Sequence, residues 1–311
     1  MRNKSAIVPY LVGFDTARLN FISTYSFMLT GTYADTMAAL RSGATVIFSA
    51  GEDLAANIRE LPACHTFMLV RDAVSLLSSN QFPHGRMDTC SIRIVGGPVS
   101  MARFTALRQQ VTTSICVTYS MNETHFITTA AGDEPGTLLP DTSVRIIDGD
   151  GRDTTPGQPG RILARTTRMA AGYLGDDAET RTRFLDGWFL TNDIGFMPAP
   201  GQLVVLGRTD EIINLGGNKL APEPVEDQIR EIDGVVDAAI VGLDNAEGTG
   251  ELHIFIELDD PARNQMTQAL IAPLLNDFRT PFHVHPVRRL PRTDTGKVRR
   301  AELKQSLTPP A

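Results

Sequence analysis

A lysine close to the C-terminus lies in a loop whose composition limits its backbone path. The segment from Pro291 to Lys297 reads Pro-Arg-Thr-Asp-Thr-Gly-Lys. Proline fixes one backbone dihedral and glycine permits a tight turn, so this loop can aim the ammonium group of Lys297 as a point charge. Phosphate and carboxylate oxygens suit such a charge. A lone lysine near a chain end is more often a solvated surface group, so other features must support the chemical interpretation.

Further polar residues lie in glycine-punctuated segments upstream. In chain order these segments are Gly96-Gly97-Pro98, Tyr119-Ser120-Met121-Asn122-Glu123, Gly172-Tyr173, Gly187 to Asp193, Gly207-Arg208-Thr209-Asp210 and Leu215-Gly216-Gly217-Asn218-Lys219. Each segment alone has an ordinary structural explanation. Glu123 could be a carboxylate at a helix start, and Asp193 a turn residue. Arg208 and Asp210 could form a surface ion pair.

Helices and short apolar runs alternate in the first part of the chain. The spacing of apolar residues predicts helices at 33–40, 54–61 and 101–110, and strands at 43–48, 65–70, 91–95 and 114–119. This alternation indicates an α/β fold with a doubly wound, mainly parallel sheet. Ligands of such sheets bind beyond the C-terminal ends of the strands. Gly96-Gly97 and the segment 119–123 both occupy that position.

The character of the sequence changes after residue 136. Glycine and proline become frequent, and short strands are predicted at 143–148, 160–166, 188–193 and 203–206, with a polar helical connection within 172–184. A compact α+β module follows, with helices at 224–232 and 265–276 and strands at 235–241, 252–257 and 283–287. We therefore predict a large domain over 1–207 and a C-terminal lid domain over 208–311. The large domain divides into an α/β part at 1–136 and a β-barrel-like part at 137–207.

Composition excludes several classes of function. The chain has 311 residues, 42% hydrophobic and 21% charged, with a formal net charge of -7. It has no basic footprint for nucleic acid or anionic membrane, and no apolar run of transmembrane length. The three cysteines are odd in number and lack metal-ligand spacing, which predicts reduced core thiols in a cytoplasmic protein. His283 and His285 alternate on one strand face and are interpreted as structural.

Taken in order, the punctuated segments resemble the adenylate-forming superfamily of acyl- and aryl-CoA synthetases, nonribosomal adenylation domains and luciferases. The resemblance covers residues from about 22 to 306. It implies that a small carboxylic acid attacks the α-phosphate of ATP, which gives acyl-AMP and pyrophosphate, before the acyl group passes to a thiol. ATP or AMP and Mg2+ are the implied cofactors, and coenzyme A or an acyl carrier protein is the implied thiol partner. The Leu-Gly-Gly-Asn-Lys segment looks more like acyl- and aryl-CoA ligases than nonribosomal adenylation domains.

The resemblance also assigns roles to individual residues. Lys297 would bridge the reacting carboxylate and the phosphate, and Glu123 would bind Mg2+ as a hard oxygen ligand. Asp193 would accept both ribose hydroxyls, to which Arg208 would donate. The implied nucleotide- and acyl-binding residues are Gly96, Gly97, Pro98, Tyr119, Ser120 and Asn122. Asp210 would be the hinge of the lid domain, and Gly216 and Gly217 would form the thiol-acceptor loop.

The sequence also departs from the superfamily's pattern. It shows no Ser/Thr/Gly-rich phosphate loop with a lysine, and Thr30-Gly31-Thr32 is not followed by the Gly and Lys of that loop. Ser120 and Asn122 replace a glycine and a threonine, and Asn192 replaces the glycine of a Thr-Gly-Asp element. The aromatic-His element is replaced near Phe27-Met28, without a histidine. The resemblance therefore describes a ligase shortened at its N-terminus.

Two functional interpretations follow from these departures. In the first, the chain is an AMP-forming acid–thiol ligase; in the second, it is a catalytically impaired homologue that binds acyl-adenylate, AMP or a partner protein. Retention of Lys297 and Asp193 favours the first, and loss of the phosphate loop favours the second. The shortened N-terminus also predicts an exposed apolar sheet edge or face, and hence a homodimer or a partner chain.

Overall fold

A computed structural model describes residues 20–24, 27, 29–49, 54–61, 64–78, 87, 89–97, 99, 101–132, 134–215, 218–243, 250–278, 280–293 and 297–307. The chain forms two compact units. The first comprises 1–158, 163–191 and 197–204, and the second comprises 159–162, 192–196 and 205–311. The boundary between residues 207 and 208 stays a prediction of the sequence.

The first part of the chain alternates strands and helices. Its elements are β1 (Asn20–Ser23), α1 (Thr30–Arg41), β2 (Thr45–Phe48), α2 (Leu54–Glu60), β3 (Cys64–Leu69), α3 (Val70–Ser78), β4 (Cys90–Val95), α4 (Met101–Gln110), β5 (Ser114–Met121) and β6 (His125–Ala130). The β-rich part that follows contains β7 (Gly136–Leu138), β8 (Thr142–Ile147), β9 (Gly160–Thr166), α5 (Asp177–Arg183), β10 (Phe184–Leu185), β11 (Trp188–Phe196) and β12 (Gln202–Arg208).

These strands form one large sheet in the order β2-β1-β3-β4-β5-β6-β7-β12-β11-β9-β8, with β10 paired to β11. The strands from β2 to β5 are parallel, whereas β5-β6, β6-β7 and β7-β12 are antiparallel. The predicted mixed α/β fold is confirmed. Because β7 pairs with β12, the β-rich part extends this sheet, and the strands that the structure describes form no closed barrel.

Helices cover both faces of the parallel part of the sheet. On one face, α2, α3 and α4 contribute Leu54, Leu76 and Phe104 to a core with Ile92 and Ile94 of β4. On the other face, α1 packs through Ala39 on a second cluster of side chains, which consists of Phe21, Ala44, Phe67, Val95 and Phe126. All six residues of β3 and all six of β4 are buried. Burial on both faces is typical of central strands in a doubly wound sheet.

One fully buried ion pair lies within this core. Arg93 of β4 and Asp35 of α1 form an ion pair at 2.8 Å, with side chains that are 0% and 1% exposed. The guanidinium of Arg93 also lies 4.5 Å from the centre of the Phe126 ring, within range of a cation–π interaction. Burial raises the pKa of Asp35 above its ordinary value, and the charges of Arg93 and Arg168 oppose that rise. This pair fixes α1 on the sheet.

The second unit contains the predicted α+β module. Its further elements are β13 (Ile213–Leu215), β14 (Asn218–Leu220), α6 (Pro222–Arg230), β15 (Val235–Leu243), β16 (Glu251–Leu258), α7 (Asn264–Ile271), β17 (Phe282–Val287) and α8 (Arg300–Leu307), with 3-10 turns at Pro261–Arg263 and Ala272–Phe278. The order of the three-stranded sheet is β15-β16-β17. Ile229 of α6 and Ile271 of α7 belong to one core cluster, and Leu303 of α8 belongs to another with Phe255. No helix in the described ranges is long and apolar enough to span a membrane.

Candidate active site

A glycine turn follows β4 at the C-terminal edge of the large sheet. Gly96 has a φ of +90°, a left-handed conformation that favours glycine. The parallel strands β4 and β5 are in register at Ile94 and Val117, so Gly96 and Gly97 leave the sheet at the same edge as the end of β5. The structure therefore brings this turn near Tyr119 and Ser120. Pro98 lies outside the described residues.

The connection between β5 and β6 lies at this same edge. A register shift between Tyr119 and Ser120 interrupts the pairing of β5 with β6. The side-chain carbonyl of Asn122 accepts a hydrogen bond from the backbone N–H of Thr30, the first residue of α1, at 3.4 Å. Asn122 therefore links the connection to the start of α1.

The carboxylate of Glu123 is oriented by a tyrosine that the sequence analysis left without a role. The hydroxyl of Tyr173 donates to Oε1 of Glu123 at 2.8 Å. Burial raises the pKa of Tyr173 to about 12, and the hydrogen bond to Glu123 adds to this effect. The Tyr173 ring packs on Phe184, with centroids 5.5 Å apart. Tyr173 thus keeps its proton at physiological pH and holds Glu123 in one orientation.

The arrangement around Glu123 fits Mg2+ bound largely by substrate. No group of three or more His, Cys, Asp or Glu side chains is placed to hold a metal ion within the described residues. Mg2+ usually keeps several waters and is bound by one or two carboxylates together with substrate phosphates. A single oriented carboxylate, with Oε1 engaged by Tyr173, fits that mode of binding.

Two of the predicted ribose-binding side chains lie together in the second unit. Asp193 of β11 and Arg208, at the end of β12, lie 3.6 Å apart between Oδ1 and Nη1. The residue Asp193 is 9% exposed. Thr209 donates both its backbone N–H and its hydroxyl to the backbone carbonyl of Asn192, at 2.7 and 2.8 Å. These bonds fix the Arg208 segment beside the Asp193 strand.

Arg208 also forms a two-bond fork with Asp210. Nε and Nη2 of Arg208 donate to the two carboxylate oxygens of Asp210 at 3.0 and 2.9 Å. This hydrogen bonding raises the pKa of Arg208 and lowers the pKa of Asp210, and the charge of Lys297 adds to the lowering at Asp210. The ion pair between Arg208 and Asp210, which the sequence analysis gave as one alternative, is therefore present. It directs the Nε/Nη2 edge of the Arg208 guanidinium towards Asp210, the predicted hinge residue.

Lys297 closes a short hairpin in the second unit. Its backbone N–H donates to the hydroxyl of Thr293 at 3.1 Å, and its carbonyl accepts from the Thr293 N–H at 2.8 Å. An antiparallel bridge between Arg292 and Val298 supports this hairpin. The side chain of Lys297 is exposed. Glu123 belongs to the first unit, so each of these two residues is placed within its own unit.

Gly207 precedes Arg208 in a conformation reserved for glycine. Its φ is +143°, which residues with a side chain rarely adopt, whereas the space itself would admit a Cβ, at an ordinary contact distance of 3.6 Å from Cβ of Ala221. A side chain here would therefore strain the backbone beside the predicted hinge. Gly216 and Gly217, the predicted thiol-acceptor loop, lie outside the described residues.

His125 follows Glu123 by two residues and is strained and buried. It is 5% exposed and has a φ of 67°. Within the part of the chain that the structure describes, neither ring nitrogen makes a hydrogen bond. Burial lowers the pKa of His125 to about 4, with further lowering by the charges of Arg168 and Arg93. A cation at this position is thus disfavoured in the folded state.

We expect His125 to make folding less favourable in acid. Its folded pKa is lower than its unfolded value, so its contribution to stability is complete above the unfolded pKa and is lost as the pH falls towards the folded pKa. The loss amounts to at most about 3 kcal/mol. Urea unfolding between pH 7.5 and 4 should give a shallower pH dependence for His125→Asn, because asparagine tolerates a positive φ and does not titrate. Equal slopes for the two proteins would contradict the assignment.

The fold agrees with the one that the resemblance to the adenylate-forming superfamily implies. The chain belongs to the AMP-binding enzyme family, whose model matches residues 6–174, more than half of the chain. Among curated relatives, it is 31% identical over 171 residues to a 2-hydroxy-7-methoxy-5-methyl-1-naphthoate–CoA ligase of Streptomyces carzinostaticus, a match that covers 54% of this chain and 31% of that ligase. It is 27% identical over 220 residues to a 2-succinylbenzoate–CoA ligase of Listeria monocytogenes, covering 69% and 45%.

Solved structures agree on the fold. The amide bond synthetase McbA from Marinactinospora thermotolerans superposes with a TM-score of 0.83 at 23% identity, over 98% of this chain and 66% of McbA. The o-succinylbenzoate CoA synthetase of Bacillus subtilis, in complex with its acyl-adenylate, gives 0.82 at 20% identity, over 96% and 63%. Of the two curated CoA ligases named above, the chain spans roughly a third to a half of the length.

Proposed function

We propose that the chain carries out the ATP-dependent activation of a carboxylic acid to an acyl-AMP and passes the acyl group to the thiol of coenzyme A or a carrier protein. The observation that carries this proposal is the pairing of Asp193 with Arg208 at 3.6 Å. A buried carboxylate beside a guanidinium offers an acceptor and donors at one place, which is what two adjacent ribose hydroxyls require. Membership in the AMP-binding enzyme family supports a nucleotide as the ligand.

The anionic groups of the reaction need compensating charge. Glu123, oriented by Tyr173, would hold Mg2+, which supplies positive charge to the phosphates when it is bound. Lys297 would place its ammonium group between the reacting carboxylate and the α-phosphate, where negative charge is concentrated in the transition state. Gly96, with its left-handed backbone, would let the nucleotide approach the main chain closely.

The fork between Arg208 and Asp210 supports a role for Asp210 as the hinge of the lid. Rotation about this residue would have to break or carry along two hydrogen bonds of 3.0 and 2.9 Å. The fork would therefore couple the position of the lid to the guanidinium that contacts the ribose. Gly216 and Gly217 would then line the path of the thiol, as the resemblance implies.

Aromatic acids are our first choice of substrate class. Several relatives are named for aromatic acids, among them a 3-hydroxybenzoate/4-hydroxybenzoate–CoA ligase of Thauera aromatica, which is 30% identical over 178 residues. We place the activity in the cytoplasm, because all three cysteines are free thiols. A homodimer or a partner chain, which the sequence analysis predicts, stays part of this proposal. Neither nucleic acid nor a membrane surface is proposed as a partner.

Removal of the Asp193 carboxylate should weaken nucleotide binding. A charge-assisted hydrogen bond contributes roughly 1.5–3 kcal/mol, so Asp193→Ala should weaken AMP binding by about 10- to 150-fold. Isothermal titration calorimetry of AMP measures this loss. Asp153→Ala, which changes an exposed carboxylate in the β-rich part, is the matched control and should bind AMP like the wild type. Unchanged affinity in Asp193→Ala would remove this residue from the site.

A further inference from the structure

The first residue of α8, Arg300, lies three positions after Lys297 and has a side chain that is 16% exposed. Its Nη1 donates to Oε1 of Glu226 on α6 at 2.6 Å and to the backbone carbonyl of Ile240 on β15 at 3.1 Å. Its Nη2 donates to Oε2 of Glu226 at 3.2 Å and lies 3.5 Å from Oε2 of Glu211. One planar guanidinium therefore joins α8 to α6, to β15 and to the segment that follows β12.

The main partner of this guanidinium is a buried carboxylate. The side chain of Glu226 is 1% exposed, so protein groups rather than water must compensate its charge. Its Oε1 also accepts from the backbone N–H of Ile240 at 2.7 Å, and its Oε2 accepts from Arg230 at 3.3 Å. Burial disfavours the charged form of Arg300, but the charge and hydrogen bonds of Glu226 outweigh this effect and raise the pKa of Arg300. Arg300 thus stays charged.

The other side of the hairpin that Lys297 closes is held by the same network of charges. Arg292, which opens this hairpin, pairs with Asp237 of β15. Asp237 also accepts from Nε of Arg230 at 2.9 Å, and Arg230 pairs with Glu226 at 3.3 Å. A continuous chain of alternating charges therefore runs from the start of the hairpin through β15 and α6 to the first residue of α8. It brackets Lys297 on both sides.

Arg300 also reaches the segment beside the predicted hinge. Its partner Glu211 directly follows Asp210 and lies 89 positions away from Arg300 in the sequence. If the lid turns about Asp210, it returns Lys297 to the same point only when the path from the pivot to the lysine is rigid. Through the guanidinium of Arg300 this path is short, because it crosses one side chain instead of following the whole module.

We infer that Arg300 is a positioning residue, which fixes the hairpin of Lys297 relative to the hinge so that the ammonium group meets the reacting carboxylate and the α-phosphate in one orientation. This inference rests on the proposed function. Arg300 is assigned no contact with substrate or nucleotide and acts only through Lys297. A misplacement of about 1 Å can cost about 10²-fold in rate, so a small loosening of the hairpin is enough to slow adenylation.

Arg300→Lys tests the inference, with 4-hydroxybenzoate as the acid. Lysine keeps a positive charge beside Glu226 but cannot bond Glu226, Ile240 and Glu211 at once. We expect kcat for ATP–pyrophosphate exchange to fall by about 10- to 100-fold, with KM for ATP within about twofold of the wild type. Transfer from synthetic 4-hydroxybenzoyl-AMP to coenzyme A should keep its wild-type rate, because this step does not use Lys297.

A double variant and a neighbouring arginine supply the controls. Lys297→Ala/Arg300→Lys should exchange as slowly as Lys297→Ala alone, because Arg300 acts through the lysine and the two losses are not additive. Arg299→Lys changes the adjacent arginine, whose side chain is 48% exposed and pairs with Glu302 at 2.8 Å. It should leave both rates unchanged.

Amide hydrogen exchange follows the hairpin without relying on catalysis. The backbone N–H groups of Thr293 and Arg299 donate at 2.8 Å to the carbonyls of Lys297 and Pro291, and that of Lys297 donates to Thr293 at 3.1 Å. Their exchange, measured by NMR, should be at least about tenfold faster in Arg300→Lys and unchanged in Arg299→Lys. The melting temperatures of both variants should lie near that of the wild type.

A second variant covers the case in which Arg300→Lys is unstable. Glu211→Gln removes only the link beside the hinge, from a side chain that is 25% exposed. It should slow pyrophosphate exchange at least about threefold and leave transfer from the acyl-AMP unchanged.

The positioning role is overturned if the hairpin amides exchange at the wild-type rate in Arg300→Lys, or if this variant slows both steps equally. It is also overturned if the double variant is slower than Lys297→Ala, or if Glu211→Gln leaves pyrophosphate exchange unchanged. The proposed function fails separately, if the wild type shows no exchange with any carboxylic acid. The amide measurement then still decides whether Arg300 holds the hairpin.

Discussion

Lys297→Ala should reduce ATP–pyrophosphate exchange by roughly 10²–10³-fold, the usual loss when one group that stabilises transition-state charge is removed. Transfer of the acyl group from synthetic acyl-AMP to coenzyme A should continue at close to the wild-type rate. The reason is that Lys297 acts on the phosphate only in the first step, and the resemblance implies that the lid then carries it away from the site. The exchange assay and the transfer assay measure the two steps separately.

Two further variants serve as a control and as a test of the reverse effect. Lys304→Ala removes an exposed lysine from α8 of the same unit and should leave both rates unchanged. Asp210→Pro should show the reverse pattern to Lys297→Ala, because proline stiffens the proposed hinge and removes the backbone N–H. Equal loss of both steps in Lys297→Ala would mean that the lysine supports the fold or substrate binding in general.

Asp35→Ala should lower the free energy of unfolding by about 3–5 kcal/mol, because it leaves the buried Arg93 cation without the carboxylate 2.8 Å away. Urea or thermal unfolding followed by circular dichroism measures the change. The double variant Asp35→Leu/Arg93→Met replaces both charges by apolar side chains and should be more stable than Asp35→Ala, since a buried pair is costly mainly when half of it is removed.

An exposed ion pair provides the comparison. Arg145 and Asp153 also lie 2.8 Å apart, but their side chains are 39% and 61% exposed. Asp153→Ala should therefore cost less than about 1 kcal/mol. A similar cost for Asp35→Ala and Asp153→Ala would show that the buried pair does not hold α1 on the sheet.

Several elements were predicted well from the sequence. The bounds of α4 (101–110) and β9 (160–166) agree with the structure, and β4 and β17 differ from their predicted starts by one residue. Two of the missed strands have weak signals: β1 is only four residues long, and β6 reads His-Phe-Ile-Thr-Thr-Ala without alternating polarity. The helices α3 and α8 were missed as well. The sequence pattern predicts a strand that ends at Val70, but Val70 begins α3, because the buried run of β3 ends at Leu69.

The residues of the candidate site fall into two groups: those that the sequence identifies, and those that only the folded chain brings into contact. The order of the glycine-punctuated segments is enough to identify four candidate site residues, Glu123, Asp193, Arg208 and Lys297. Their roles stay proposals. The hydrogen bond of Tyr173 to Glu123 joins residues 50 positions apart, and the Arg93–Asp35 pair joins residues 58 apart. Only the folded chain places such partners together. The Gly172-Tyr173 element in the ordered series was the one sequence signal that could have led to Tyr173.

The most direct test of the account is ATP–pyrophosphate exchange by the wild-type chain with a panel of carboxylic acids. The panel should include 4-hydroxybenzoate, 2-succinylbenzoate, indoleacetate and sulfoacetate, after the acids for which relatives are named. We predict Mg2+-dependent exchange that requires an acid, favours aromatic members of the panel, and falls in Asp193→Ala and Lys297→Ala. Absence of exchange with every acid would contradict the assignment of this chain as an acid-activating enzyme.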